Sequence, residues 1–323
     1  MKIIEYARSC RPFMYSYEDY IYSQLKPQVN PYVTNCDEYL GRNTSYFIFE
    51  SVIPSQKYAV LLEASDGAGF REGCHCIKKD VWQEILDRHE VTDFIVFKMQ
   101  WGKEDIFNRH FAFPDKTHPL GYFTDYPSDT YHYQKQTRYN SLLKKKDIDF
   151  LWAGTVNYKL ADDKWPEDIN IKYWASRERV QGYKALEKIK ERRPEWNIVI
   201  TDKPSFPKPE YMDLVMRSKI CLELPGIGWF TTRFFENLML GKCIMGRRLP
   251  HQLPYELKED VHYISIGDDY EHLEDYMESY INDDSKIKQI ENNVQTLQPY
   301  LTHKYAWNNM SELIYNMVAS YNL

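Results

Sequence analysis

The chain has 323 residues, of which 43% are hydrophobic and 27% are charged. This composition excludes a disordered chain and supplies apolar material for two hydrophobic cores. The formal net charge is −6, so no overall positive field attracts nucleic acid. The first residues lack the apolar core of a secretory signal, and no run approaches the ~18 apolar residues of a membrane span, which together predict a cytoplasmic protein.

The first half of the chain alternates strand-like and helical patterns. Apolar runs at residues 46–49, 58–62 and 93–97 predict strands. A helix is predicted between the last two, because Asp80 can cap it and Gln83 follows three residues later, as in a capping box. Strands that alternate with helices favour a parallel sheet.

The middle of the chain loses this periodicity. Residues 102–139 are rich in Pro, Gly, Asp, His and Tyr, and a run of lysines ends at Lys146. We interpret residues 133–146 as the approach to a linker between domains and the lysine run within them as solvated. The predicted domains are an N-terminal α/β domain at residues 1–142 and a second α/β domain at residues 147–302.

The second half repeats a strand–helix–strand pattern. A strand at residues 149–153 precedes a helix that begins near Ser176 and stops before Pro194, and further strands are predicted at residues 197–200 and 219–224. This repetition is typical of a doubly wound parallel sheet. Three amphipathic helices close the chain.

The six cysteines follow no spacing typical of a secreted disulfide framework. Cys221 and Cys243 lie within apolar, strand-like runs, which predicts free buried thiols in a reducing compartment. The triplet Cys74-His75-Cys76 is followed by no second ligand pair, so a structural zinc site is not expected there.

Residues 218–245 carry the strongest functional signal. An apolar strand leads through a glycine-bearing loop into a helix that opens with Thr231-Thr232-Arg233 and carries Glu236 one turn later. The unpaired N–H groups and positive dipole end of such a helix suit a diphosphate. Arg233 would add a bidentate donor, and its positive charge is unfavourable against the helix dipole, which favours a functional role.

The segment from Arg233 to Met245 is similar to the R-x-x-E-x-(apolar)-x-x-G-x-(apolar) signature of exostosin-type enzymes. Residues 149–266 resemble the donor-binding half of glycosyltransferases of the GT-B architecture. The resemblance implies an α/β fold with two Rossmann-like domains facing a cleft. It also implies that the last helix, within residues 303–323, crosses back to the first domain.

The resemblance implies that Arg233 contacts the donor phosphates and that Glu236 binds ribose or sugar hydroxyls. It places the loops that contain Gly154 and residues 225–228 near the diphosphate, and the loop from residue 201 to Tyr211 near the base. Two arginines at a helix start, Arg177 and Arg179, are further phosphate candidates. The predicted donor-binding residues are Gly154, Arg177, Lys203, Tyr211, Pro225, Gly226, Gly228, Thr232, Arg233 and Glu236.

Many retaining enzymes of this architecture carry a second glutamate eight positions before the residue equivalent to Glu236, where this chain has Gly228. This departure favours an inverting mechanism, which requires a general base. Asp66 is the predicted base, because it follows the strand at residues 58–62 beside glycines, at an edge where open α/β sheets bind ligands. The reserve candidates are Glu63, His75, His118 and Asp125.

The triplet Asp147-Ile148-Asp149 matches the D-x-D metal motif of the other major glycosyltransferase architecture. There the motif ends an apolar strand, whereas here it precedes one and follows three lysines. We therefore predict neither a metal nor a cofactor, with a nucleotide-diphosphate sugar as the donor substrate.

The resulting interpretation is an inverting, metal-independent glycosyltransferase that uses a nucleotide sugar and an acceptor hydroxyl, with a glycan as the favoured acceptor. The alternatives are a transferase acting on a hydroxymethylpyrimidine base of DNA, a sugar-nucleotide epimerase of similar fold and a nonenzymatic carbohydrate-binding protein. A nucleic-acid acceptor is not favoured, because the net charge is negative.

Overall fold

The computed structural model describes residues 2–7, 44–50, 56–63, 79–99, 102, 113–121, 145–156, 175–201, 208–226 and 228–320. The chain divides into two compact units. Unit 1 comprises residues 1–123, 250–255 and 302–323, and unit 2 comprises residues 124–249 and 256–301. The predicted domain boundary at residues 142–147 stays a prediction, because residues 122–144 lie outside the described part of the chain.

Unit 1 contains a five-stranded sheet in the order β1-β2-β3-β4-β5. Its strands are β1 (Lys2–Ala7), β2 (Thr44–Glu50), β3 (Lys57–Glu63), β4 (Asp93–Lys98) and β5 (Thr117–Pro119). Strands β3, β4 and β5 are parallel, as the sequence pattern predicts, and helix α1 (Lys79–His89) connects β3 to β4.

Strand β2 pairs antiparallel with both β1 and β3, which the sequence analysis did not predict. For β2 and β3 the reason is the short connection from Glu50 to Lys57, since a parallel crossover needs a dozen or more residues. A 3-10 turn at Pro114–Lys116 precedes β5.

Both faces of this sheet are covered. Tyr46, Ile48 and Leu61 point to one face, where they pack with Trp82 and Ile85 of α1. The opposite face holds the alternate residues of the same strands and packs against the C-terminal helix, His303–Ala319. The predicted return of the last helix to the first domain is therefore present. Its buried contact residues are Ala306, Met310 and Ile314.

Unit 2 contains a second five-stranded sheet, entirely parallel, in the order β10-β9-β8-β6-β7. The strands are β6 (Ile148–Ala153), β7 (Ile198–Thr201), β8 (Ser218–Glu223), β9 (Cys243–Gly246) and β10 (Ile264–Ser265). The intervening helices are α2 (Ala175–Arg192), α3 (Lys208–Arg217) and α4 (Thr232–Met239). Helices α5 (Leu273–Ile281) and α6 (Asp284–Gln295) and a 3-10 turn at Gln298–Leu301 follow β10.

The predicted mixed α/β fold with parallel sheets is thus confirmed. Cys221 and Cys243 are buried free thiols, and burial raises the pKa of Cys221 to about 11. Within the described ranges, no helix is long and apolar enough to span a membrane. The triplet Cys74-His75-Cys76 lies outside those ranges.

The Asp147-Ile148-Asp149 triplet is engaged by neighbouring cations. Arg217 donates to both carboxylate oxygens of Asp147, at 2.8 and 2.7 Å, and thereby lowers the pKa of that carboxyl. Lys219 Nζ lies 2.9 Å from Asp149 Oδ1. In the part of the chain that the structure describes, no group of three or more His, Cys, Asp or Glu side chains could hold a metal ion.

Candidate functional site

The strand order of unit 2 locates the site. The order β7-β6-β8-β9-β10 runs outward in two directions from the pair β6 and β8, which are adjacent and parallel. In open α/β sheets, ligands bind outside the carboxyl ends of the strands at this switch point. Gly154 follows the carboxyl end of β6, and the loop from Leu224 to Gly226 follows that of β8.

Helix α4 begins beside this edge with a side-chain cap. Thr231 Oγ1 accepts a hydrogen bond from the Phe234 N–H at 3.2 Å and donates one to the carboxylate of Glu223. The N–H groups of Thr232 and Arg233 belong to the first turn and have no acceptor within the helix. They and the positive end of the helix dipole favour an anion at this position.

The guanidinium of Arg233 lies over Gly154. A Cβ atom built at Gly154 would stand 2.5 Å from Arg233 Nη1, 2.9 Å from Nη2 and 2.9 Å from a ring carbon of Trp152. Arg233 is partly exposed, and among the residues that the structure describes it forms no ion pair with a carboxylate. The cation is therefore available to an anionic ligand, and the missing side chain at residue 154 makes room for it.

Glu236 lies one helical turn beyond Arg233 and is buried. Positions i and i+3 lie on the same face of a helix, so the two side chains share one face of α4. Tyr211 of α3 lies near enough to both for their charges to affect it. Burial and then the charge of Glu236 raise the pKa of Tyr211, while the charge of Arg233 lowers it.

Tyr211 is itself 8% exposed and packs in the core with Leu151 and Cys221. This placement differs from the predicted contact with a base, because it leaves little ring surface for stacking on a ligand. Lys203, the other predicted contact in that loop, lies outside the described residues.

Of the two candidate arginines in α2, the structure brings Arg179 to the site. Its guanidinium donates to the carbonyl oxygens of Thr155 at 2.9 Å, Leu224 at 3.4 Å and Pro225. It therefore ties together the loops that follow β6 and β8. No contact of the described residues brings Arg177 to this edge of the sheet.

The predicted proximity of residues 225–228 to the diphosphate stays a prediction, and the structure shows how Gly226 is used within this loop. The Gly226 N–H donates to the Gly228 carbonyl oxygen at 2.7 Å, so this group is used within the loop and cannot also bind a phosphate. A Cβ at Gly226 would lie 2.9 Å from Arg179 Nη2. The glycine thus admits the Arg179 side chain, and the loop is a support of the site.

Glu223 is a site residue that the sequence analysis missed. It ends β8, is 6% exposed, and its pKa is raised by burial, against the opposing effects of Arg233 and of the Thr231 hydrogen bond. Its signal in the sequence is a carboxylate at the end of an apolar strand, immediately before the Leu224–Gly226 turn.

No protein-family model matches the chain, and neither does any curated protein sequence. Among solved structures, the chain is similar to sucrose-phosphate synthase from Thermosynechococcus elongatus, at 10% identity and a TM-score of 0.47 over 80% of this chain and 68% of that one. It is also similar to Anabaena HepE in complex with UDP and glucose, at 9% identity and a TM-score of 0.45 over 78% and 70% of the two chains. A glycosyltransferase from Rickettsia africae matches at 10% identity and a TM-score of 0.42 over 74% of this chain and 80% of that one.

The predicted base Asp66 lies outside the described residues, as do His75 and Asp125. Of the reserve candidates in unit 1, Glu63 is fully buried and its carboxylate is bound by Lys98 Nζ, so it is not accessible to an acceptor. His118 of β5 is partly buried, and burial lowers its pKa. It is therefore predominantly neutral at neutral pH.

The Thr231 cap can be tested by its effect on stability. We expect Thr231→Ala to lower the free energy of unfolding by about 1–2 kcal/mol, because it removes the helix cap and the donor to a buried carboxylate. Thr231→Ser keeps both hydrogen bonds and is the matched control. Chemical unfolding checks both variants, and equal stabilities of the alanine and serine proteins would contradict the assigned cap.

Proposed function

We propose that the protein is a glycosyltransferase that transfers a sugar from a nucleotide-diphosphate sugar to an acceptor hydroxyl. The observation that carries this proposal is the Arg233 guanidinium, without a carboxylate partner among the described residues, lying over Gly154 beside the first turn of α4. Cleavage of the glycosidic bond leaves negative charge on the diphosphate. A fixed cation and oriented N–H groups stabilise that charge where it develops.

Each remaining site residue has a part in this reaction. Glu236 accepts hydrogen bonds from ribose or sugar hydroxyls, because its carboxylate is buried on the same face of α4 as Arg233. Arg179 holds the loops after β6 and β8 in place through three carbonyl oxygens. Glu223 orients the Thr231 cap.

The proposed mechanism is inverting and independent of a metal ion. The acceptor oxygen attacks the anomeric carbon while the bond from that carbon to the diphosphate oxygen breaks, and Asp66 takes the acceptor proton. The absence of a second glutamate at Gly228 supports inversion. Arg233 and the α4 dipole supply positive charge for the leaving group, and the proposed acceptor is a glycan.

The donor class can be tested by thermal unfolding with a panel of nucleotide-diphosphate sugars. A bound donor raises the unfolding temperature by mass action. We expect a marked rise with one nucleotide sugar and no rise with its bare base. Product analysis then separates the alternatives, since a transferase releases a nucleoside diphosphate and forms a glycoside of inverted configuration, whereas an epimerase returns a changed nucleotide sugar.

The close approach of Arg233 to Gly154 gives a second test of the site. We expect Gly154→Ala to weaken donor binding about 10-fold, or about 1.4 kcal/mol, because the added methyl group displaces the guanidinium. Titration of donor binding measures the effect. In an Arg233→Ala background the same change should cost much less, since the group it displaces is gone. An equal loss of donor affinity with and without the Arg233 side chain would contradict the expectation that Gly154→Ala acts by displacing the guanidinium.

A further inference from the structure

Glu223 carries a buried carboxylate whose side-chain hydrogen bond comes from one hydroxyl group. It closes β8 at the switch point and is 6% exposed. Its carboxylate accepts a hydrogen bond from Thr231, and β9 packs so closely that a Cβ at Gly246 would lie 2.9 Å from the Glu223 carbonyl oxygen. Among the described residues no arginine, lysine or histidine forms an ion pair with Glu223. A buried carboxylate held by one hydroxyl is costly to keep ionised.

Glu223 is surrounded by charged and titratable groups from several elements. Arg179 is committed to backbone carbonyl oxygens, and Arg247 is bound to Glu178, so both cations have other partners. Arg233 has no such partner among the described residues, and it is the strongest of the cationic neighbours that favour the ionised form of Glu223. The groups that face Glu223 are Arg233 and Glu236 of α4, Arg179 of α2, Tyr211 of α3, Cys221 of β8, Tyr270 after β10, and Arg247, which lines a small pocket with it.

We propose that Glu223 is a positioning residue of the donor site that takes up a proton when a diphosphate binds to Arg233. This inference rests on the proposed function. In the free protein, the charge of the guanidinium stabilises the nearby carboxylate. When phosphate oxygens pair with the guanidinium, that stabilisation is offset by the negative charge of the ligand, and a proton from solvent neutralises the carboxylate.

Proton uptake changes the charge of Glu223 between the free protein and the complex with a diphosphate. Before the ligand arrives, an ionised Glu223 attracts the positive charge of Arg233, whose guanidinium lies over Gly154. After protonation, the carboxyl group no longer repels the diphosphate, and its carbonyl oxygen still accepts from Thr231. Glu223 therefore attracts Arg233 in the free protein and no longer repels the diphosphate in the complex.

The sign of the pH dependence follows from this linkage. Burial raises the pKa of Glu223 above its usual range, while Arg233, the Thr231 hydrogen bond and Arg179 oppose the increase. Neutralisation of Arg233 by a diphosphate removes part of that opposition and raises the pKa further. Between the pKa of the free protein and that of the complex, binding takes up a proton, so affinity falls as the pH rises, by at most about tenfold per pH unit for one proton.

The test compares the wild-type protein with Glu223→Gln, which keeps an acceptor for the Thr231 hydroxyl but cannot titrate. The probes are inorganic pyrophosphate and the diphosphates of uridine, guanosine, adenosine and thymidine. Isothermal calorimetry in buffers of different ionisation enthalpy measures the protons exchanged on binding, from about pH 5 to about pH 9. The diphosphates also exchange protons themselves, so the informative quantity is the difference between the two proteins.

We expect wild type to take up as much as about one more proton than Glu223→Gln in the linked pH range. Glu278→Gln should keep this additional uptake, because Glu278 is an exposed carboxylate that pairs with Arg193. If wild type and Glu223→Gln bind with the same proton exchange, the inference about Glu223 is wrong and the proposed function stands. If no diphosphate binds to wild type, the proposed function is wrong and this inference is wrong with it.

A second measurement covers the case in which Glu223→Gln does not fold. Difference infrared spectroscopy of wild-type protein labelled with ¹³C-glutamate reports the protonated carboxyl group directly. Addition of pyrophosphate should produce a band of a protonated glutamate at the expense of carboxylate bands. Absence of that band at saturating pyrophosphate across the pH range would overturn the inference without any variant.

Discussion

Replacing Arg233 by alanine is expected to lower turnover of the nucleotide sugar about 100- to 1000-fold, the usual effect of removing one group that stabilises charge in a transition state. The fold should be retained, since the guanidinium has no ion-pair partner among the described residues and the adjoining residue 154 is a glycine. Steady-state measurement of kcat and KM for the donor checks the prediction.

Two further variants make the Arg233 experiment specific. Arg233→Lys should recover only a small part of the activity, because an ammonium group cannot form the bidentate contacts of a guanidinium. Arg192→Ala is the matched control, since Arg192 is an exposed arginine of the last turn of α2 that pairs with Glu274. Near wild-type turnover by Arg233→Ala would contradict the proposed function.

The second large effect concerns the stability of unit 1. Glu63 of β3 and Lys98 of β4 are adjacent in the sheet and both are fully buried, with the Lys98 ammonium bound to the Glu63 carboxylate. We expect Lys98→Met to lower the free energy of unfolding by about 3–5 kcal/mol, because it removes the ammonium group that pairs with the buried Glu63 carboxylate. Denaturant titration monitors the loss.

Two comparisons control this measurement: a double variant that removes both charges, and the replacement of an exposed lysine that also pairs with a carboxylate. Glu63→Leu combined with Lys98→Met should recover most of the stability, because both buried charges are then removed. Lys116, in the 3-10 turn before β5, is an exposed lysine whose Nζ lies 2.7 Å from the Asp93 carboxylate of β4. Lys116→Met should cost less than about 1 kcal/mol. Similar costs for Lys98→Met and Lys116→Met would contradict the assigned role of burial.

The elements with regular periodicity were predictable from sequence. The α1 face of Trp82, Ile85 and Leu86 repeats at helical spacing, and the strands at residues 58–62 and 93–97 are short apolar runs. The pairing of β1 with β2 could not be predicted from sequence. Antiparallel pairing depends on which strand edges meet in the folded chain, and local composition carries little information about that.

The candidate site likewise contains some residues that could be predicted from the sequence and others that could not. Arg233 and Glu236 lie in one continuous motif, so their spacing on a helix face and their position after a glycine loop could be read directly. Arg179 and Glu223 could not be identified as supports of the site in this way. Each contacts residues from a different loop or helix, and such contacts depend on how the strands are ordered.

The sequence by itself determined the two α/β units, the strand–loop–helix motif and the cation at its start, because helix and strand periods, glycine turns and helix caps are local properties. Only the tertiary structure decided that Arg233 lies over Gly154, that Arg179 joins two loops and that Glu223 is buried beneath the cap. These facts follow from the adjacency of β6 and β8, strands that are separated in the described part of the chain by α2, β7 and α3. Close packing at the carboxyl edge of the sheet then brings their loops together.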